Sequence, residues 1–190
     1  KGSYDRLMET IQRLRVLKKI YGNLYLNIVT TITPRNAPCA KEFIKDTVQT
    51  LKPDAVSINL FRYHQPDAPK LPTDLLDAYR LAVETYADQM QSGQLSHYRF
   101  LGRSILKAKE IVQKELIYRV AKNNEFITQC TAGTLSYVVM EDGAIKPCEI
   151  LDDKIGNVYD DDGSFSKHIT SSETRKLRNW IRDTKCRCTY

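Results

Sequence analysis

Leu24-Tyr-Leu-Asn-Ile-Val-Thr-Thr-Ile-Thr33 and Ala55-Val-Ser-Ile-Asn-Leu-Phe61 decide the fold. The first is dense in β-branched residues, with Leu24, Leu26 and Ile28 alternating against Tyr25 and Asn27, which predicts a strand. The second is a nearly continuous apolar run, as expected for a strand covered on both faces. Helical periodicity flanks both. Tyr4, Leu7, Met8, Ile11, Leu14 and Leu17 recur at three- and four-residue steps, with Ser3 placed to cap that helix and Gly22 to stop it. A second helix is predicted over Ala40–Leu51, broken by Lys52-Pro53-Asp54, and a third from Thr73 to Met90, closed by Gly93. Helix, strand, helix, strand, helix specifies α/β architecture with a parallel sheet. Two parallel strands need neighbours. The remaining strands are therefore expected from a part of the protein outside this chain, and the open edge of Leu24–Thr33 predicts self-association or marginal stability.

The character of the chain changes near residue 100. Ser104–Val120 reads as a long basic helix with Ile105, Ala108, Ile111, Val112 and Leu116 on its inner side. Short strands follow at Phe126–Gln129, Leu135–Met140 and Ala144–Pro147, with Asp142-Gly143 as a hairpin turn. Leu151–Phe165 is acidic and loop-rich. Ser171 or Ser172 caps a last helix whose inner face is Leu177, Trp180 and Ile181. Two domains are expected, 1–100 and 101–190.

The 190 residues are 42% hydrophobic and 27% charged, enough for a packed core and against disorder. No apolar run approaches the roughly 18 residues of a membrane span. The net charge of +6 comes from basic runs on predicted helices, and aromatic residues do not interleave with them as on a base-stacking platform, so nucleic acid is not the expected partner. No export signal is recognised, and the opening Lys1-Gly2-Ser3 without Met reads as a piece of a longer, cytoplasmic protein. In that setting clustered cysteines point to metal rather than disulfides. Cys39 stands apart at a helix start and reads as structural.

Twelve residues separate Cys130 from Gly143 and four separate Gly143 from Cys148. The Asp142-Gly143 turn folds the hairpin so that its two cysteine-bearing ends meet on one side, with Gly supplying the positive φ. Cys186 and Cys188 can complete a four-sulfur site. Such a set ligates zinc, 2Fe–2S or 4Fe–4S clusters.

Cys130-x12-Gly143-x4-Cys148, with Cys130-Thr-Ala-Gly133, Asp142-Gly-Ala-Ile-Lys-Pro-Cys148 and Ile155-Gly-Asn-Val158, resembles the opening of the SPASM and twitch auxiliary-cluster domains of radical S-adenosylmethionine enzymes. The N-terminal part is similar to the second half of that family's partial (β/α)6 TIM-like barrel, with Gly2-Ser-Tyr-Asp5 opening a helix as members do. The resemblance covers nearly the whole chain. It implies a small Cys-rich hairpin-plus-helix module holding an auxiliary 4Fe–4S cluster on Cys130, Cys148, Cys186 and Cys188. It also implies a cavity for S-adenosylmethionine or substrate lined from strand ends by Thr31, Asn59 and Arg62, with Thr30 and Thr33 beside them. The intact protein would use a 5′-deoxyadenosyl radical, a second 4Fe–4S cluster and a reductant such as flavodoxin or ferredoxin to modify a peptide or small molecule. The family's Cys-x3-Cys-x2-Cys is absent from this chain, so the chain alone is expected to be inactive. A zinc-stapled, non-catalytic peptide- or protein-binding module is the alternative, and an isolated fragment can hold zinc or no metal.

Other candidates carry less. Arg62 is placed to meet a carboxylate bidentately. His64 reads as a surface residue, and His97 and His168 have no cysteine or carboxylate at metal spacing. Asp152-Asp153 and Asp160-Asp161-Asp162 lack the alternate spacing and downstream Glu of a calcium loop.

Overall fold

The computed structural model describes residues 2–63, 69–95, 103–160 and 165–188; His64, His97, Asp161 and Asp162 lie outside them. Contacts group the chain into two units, Lys1–Phe61 with Leu71–Tyr118 and Arg62–Lys70 with Arg119–Tyr190. The architecture is mixed α/β with two small sheets, and among the described residues the strands close no barrel.

In the first unit, α1 (Ser3–Ile20) starts at the residue expected to cap it: Gly2, one residue earlier, occupies the N-cap in the left-handed region, and its carbonyl accepts from Arg6 N–H at 3.2 Å. Strands β1 (Asn27–Ile32) and β2 (Ala55–Leu60) pair in parallel, from Asn27 opposite Ala55 to Ile32 opposite Leu60. β1 is shorter than Leu24–Thr33 because its start is held by Asp54 instead of by a ladder. Leu26 N–H donates to Asp54 Oδ2 at 2.7 Å, Asp54 N–H returns a bond to Leu26 O at 2.8 Å, and Lys18 of α1 pairs with Oδ1. Asp54→Ala leaves the buried Leu26 N–H without this acceptor, so a loss of about 2 kcal/mol is expected from urea unfolding. Asp54→Asn, which keeps an acceptor, should recover part of it.

β2 is covered throughout on one face, whereas the other is covered only at Ala55, a correction to the two-faced reading. Val56, Ile58 and Leu60 are buried, whereas Asn59 is exposed and Ser57 half-exposed. The polar pair needs no buried partners because its face meets solvent, where Asn27 Nδ2 donates to Ser57 Oγ at 2.9 Å.

The buried face of the sheet lies against helices. After a 3₁₀ turn at Ala37–Cys39, α2 (Ala40–Asp46) buries Ala40 and Ile44. Its final turn, Thr47–Leu51, widens to π-helical geometry and ends on Lys52 at φ 43. The helix α3 (Thr73–Gln91) packs on α2 and buries Leu75, Leu76, Tyr79, Ala82, Val83, Tyr86 and Met90, a stripe at helical spacing. Tyr79 is fully buried, and its hydroxyl finds no hydrogen-bond partner among the described residues. Burial pushes its pKa well up, with Glu115 adding to the effect. Tyr79→Phe removes an unsatisfied polar atom without opening a cavity. It is expected to raise the unfolding midpoint, by about 1 kcal/mol in stability.

The long helix α4 (Arg103–Asn123) forms as expected, but its inner side is not the predicted one. Ile105 is 74% and Val112 55% exposed. The side that packs carries Glu110, Lys114 and Tyr118: Tyr86 OH meets Glu110 Oε2 at 3.3 Å, Lys114 Nζ lies over the Tyr86 ring, and Arg80 lies over Tyr118. Long polar side chains bury their stems while their heads find partners, which a count of apolar residues misses. Burial lowers the Lys114 pKa.

In the second unit, β3 (Val138–Val139), β4 (Ala144–Lys146) and β5 (Gly156–Asn157) form an antiparallel sheet in that order. Of Leu135–Met140 only Val138–Val139 is strand, Phe126–Gln129 is irregular, and β5 lies in the stretch read as loop. The sheet is followed by α5 (Phe165–Ile169) and α6 (Ser172–Asp183). Ser171 caps α6 by accepting from Thr174 N–H. Ile181 faces inward at 1% exposure, but Trp180 is 49% exposed and belongs to the outer side. No helix among the described residues is long and apolar enough to cross a membrane.

Candidate metal centre

The hairpin turn forms because Gly143 adopts φ 80. Gly143 N–H closes it onto Met140 O at 2.9 Å, and Asp142 Oδ1 accepts from Ala144 N–H at 2.9 Å. β4 then runs out to Cys148. Leu151 N–H turns back to donate to Cys148 Sγ at 3.4 Å. On the other arm, Cys130 precedes a tight turn in which Leu135 N–H reaches Thr131 O, and Ala132 N–H donates to Cys130 Sγ at 3.5 Å. Backbone N–H groups donating to sulfur are among the features that tune metal–sulfur centres.

α6 delivers the third sulfur. The helix ends in a Schellman cap: Cys186 N–H bonds Ile181 O at 2.9 Å and Lys185 N–H bonds Arg182 O at 3.1 Å, with Lys185 at φ 50 in the position usually given to Gly. The cap turns the chain so that Cys186 joins Cys130 and Cys148 against a small core of Ala132, Leu151 and Ile181. The residues beyond are held to the stretch leading into Cys130. Arg187 Nε donates to Asn124 Oδ1 at 2.9 Å, and Lys185 Nζ lies 5.8 Å from the Phe126 ring centroid.

Burial pushes the Cys186 thiol up to about 11, and Cys130, Cys188 and Cys148 each push it further in that direction, Cys130 also through a hydrogen bond. The other three expected sulfurs therefore lie within electrostatic range of Cys186. Cys130, Cys148 and Cys186 are half-buried and Cys188 exposed. Among the described residues, however, no three His, Cys, Asp or Glu side chains converge in metal-holding geometry. The two observations concern different ranges. Electrostatic influence extends over several ångströms, whereas ligation needs sulfurs at about 2.3 Å from one point. The four cysteines match a four-thiolate centre in donor type, and three of them pack on one small core.

The other expected site residues are placed separately. Thr31 and Asn59 are register partners and both exposed on the polar face of the first unit's sheet. Thr33 N–H and Oγ1 both bond Asn36 Oδ1. Arg62 groups with the second unit, and its Nη2 lies 3.5 Å from Oε2 of Glu149, next in sequence to Cys148, a single contact and not the bidentate one expected. Cys39 is exposed, with Sγ donating to Asn36 O at 3.3 Å. His168 packs beside Gly156, where an added Cβ would come within 2.2 Å of its Nδ1. Glu149, Tyr137 and Arg178 are the residues the sequence reading missed. Glu149 could have been suspected from its place beside Cys148, but Arg178 lies in a basic stretch with no local signal.

No family model, no curated protein and no solved structure matches this chain.

Proposed function

We propose that this chain is the substrate-facing and electron-handling portion of a radical S-adenosylmethionine enzyme, with Cys130, Cys148, Cys186 and Cys188 holding an auxiliary iron–sulfur cluster. The observation that carries this reading is the packing of Cys130, Cys148 and Cys186, drawn from three separate elements, onto one small core. When bound, such a cluster supplies a site that accepts or returns single electrons. The chain's own residues set its surroundings. Ala132 and Leu151 N–H groups donate to two of the sulfurs, and Glu149, next in sequence to Cys148, pairs with Arg62.

On this reading the parallel pair β1–β2 belongs to a partial (β/α)6 barrel completed by other strands of the intact protein, and its polar face is the cavity side. Thr31 and Asn59 would offer hydrogen bonds to S-adenosylmethionine or to a peptide or small-molecule substrate there. The radical-generating 4Fe–4S cluster would be held outside this chain, and a flavodoxin or ferredoxin would reduce it. The work is that of a cytoplasmic oxidoreductase or peptide maturase.

A second reading is favoured by the smallness of the core beneath the sulfurs. Among the described residues that core is Ala132, Leu151 and Ile181, and a zinc ion could serve purely as its staple. Anaerobic incubation with ferrous iron and sulfide separates the two. A brown protein with charge-transfer absorption and acid-labile sulfide supports the cluster. A colourless protein that retains one zinc through the same treatment overturns it in favour of the staple.

A further inference from the structure

Arg178, half-buried, joins several elements of the second unit without belonging to the sulfur set. From the middle of α6, its Nε donates to Gly133 O, and its Nη2 donates to Tyr137 OH at 2.5 Å and to Ile169 O at 2.7 Å. Tyr137 OH itself donates to Gly133 O at 2.5 Å. One guanidinium thus ties together the turn after Cys130, the residue leading into β3, the end of α5 and the helix that delivers Cys186. Gly133 is three residues beyond Cys130. Arg178 stands eight residues, about two helical turns, before Cys186. Its Cγ and Ile181 Cδ1 lie 3.8 and 3.9 Å from where a Gly133 Cβ would be, so the turn and the helix are in close contact here.

We propose that Arg178 is a positioning residue for the four-thiol centre: it clamps the Cys130 turn onto α6 so that Cys130 and Cys186 face the same point. The inference rests on the metal-centre reading above. The physical requirement is specific. Thiols on separate elements bind a metal tightly only if the backbone presents them together beforehand, because ordering them afterwards draws on the binding free energy. A planar fork that serves three acceptors is suited to that task, and a single ammonium is not. Supporting contacts of this kind outside the ligand set typically affect metal affinity 10–100-fold.

A purely structural arginine makes a different prediction. It would stabilise the metal-free and metal-loaded chain equally, leaving affinity unchanged. The test is Co²⁺ titration of the 190-residue chain under reducing conditions, read by the visible bands of tetrahedral thiolate coordination, with thermal melts of the metal-free proteins alongside. Arg178→Gln should bind Co²⁺ about 10–100-fold more weakly than wild type, and Tyr137→Phe should weaken it in the same direction but less. Arg178→Lys, which keeps charge but not the fork, should resemble Gln more than Arg. Equal affinity of wild type and Arg178→Gln overturns the proposal. If Arg178→Gln does not fold, wild-type affinity in Arg178→Lys overturns it, and weakened affinity in a folded Lys variant supports it. A wild-type chain that shows no thiolate–cobalt bands removes the metal-centre reading itself, and this inference with it.

Discussion

Cys148→Ser is expected to abolish formation of a metal–sulfur centre and, with it, all stabilisation that the wild-type chain gains on loading. The thiolate is the ligand. A serine hydroxyl at the same place stays protonated at neutral pH, and three remaining sulfurs cannot close a four-thiolate set. Cys148 is held by local geometry, with Leu151 N–H on its sulfur and Leu151 itself in the core beneath, so the substitution alters a donor atom and little else. At a ligand concentration a thousandfold above Kd, wild type gains about 4 kcal/mol. For a unit of this size that corresponds to a rise in Tm of about 10 °C or more. Melting curves with and without metal should therefore separate for wild type and coincide for Cys148→Ser. Cys130→Ser and Cys186→Ser should behave alike. Cys39→Ser should melt as wild type does, since Cys39 is exposed and lies outside the sulfur group. Metal-dependent stabilisation that survives in Cys148→Ser would remove Cys148 from the centre.

What could be read from the chain and what could not divide along physical lines. β1, β2 and α3 were legible because their patterns are local: β-branched density for the strands, helical spacing of Leu75, Tyr79, Ala82 and Tyr86 for the helix. The packing of Cys130 and Cys148 on one small core was legible because one turn, Asp142-Gly143, folds the chain between them. The packed side of α4 was not. Two stripes compete there, and Ile105 with Val112 is the more apolar, yet Glu110, Lys114 and Tyr118 pack because Tyr86 and Arg80 of α3 supply their partners. β5 was missed because two residues, Gly156 and Asn157, show no periodicity. Gly156 is required by the His168 ring, a contact that sequence separation conceals. Arg178 is the extreme case, since its acceptors lie 45, 41 and 9 residues away.

Gly143→Ala is expected to be among the most damaging small substitutions outside the cysteines, at about 2–5 kcal/mol. Two costs combine. An L-residue at φ 80 is strained by about 1–2 kcal/mol. The new Cβ would also stand 2.6 Å from Asn157 Oδ1 and 2.6 Å from the Tyr159 ring, and such overpacking costs about 1–3 kcal/mol. Tyr159 is 78% exposed and can swing aside. Asn157 cannot do so cheaply, because its Nδ2 donates to Asp142 O at 3.0 Å and its Oδ1 accepts from Tyr159 N–H at 2.9 Å. The clash therefore falls on the bonds that join the turn to β5. Gly93 provides the comparison: at φ 76 it carries a similar strain, but a Cβ there meets nothing within 4 Å. Gly93→Ala should cost about 1–2 kcal/mol, from strain alone. Urea unfolding of the two variants isolates the contact cost as their difference, and equal losses would show that the Asn157 contact does not matter. Because the same hairpin sets Cys148, Gly143→Ala should also weaken Co²⁺ binding while Gly93→Ala leaves it unchanged. The turn residue thus links the stability of the sheet to the presentation of the thiols, which a substitution acting on the sheet alone would not do.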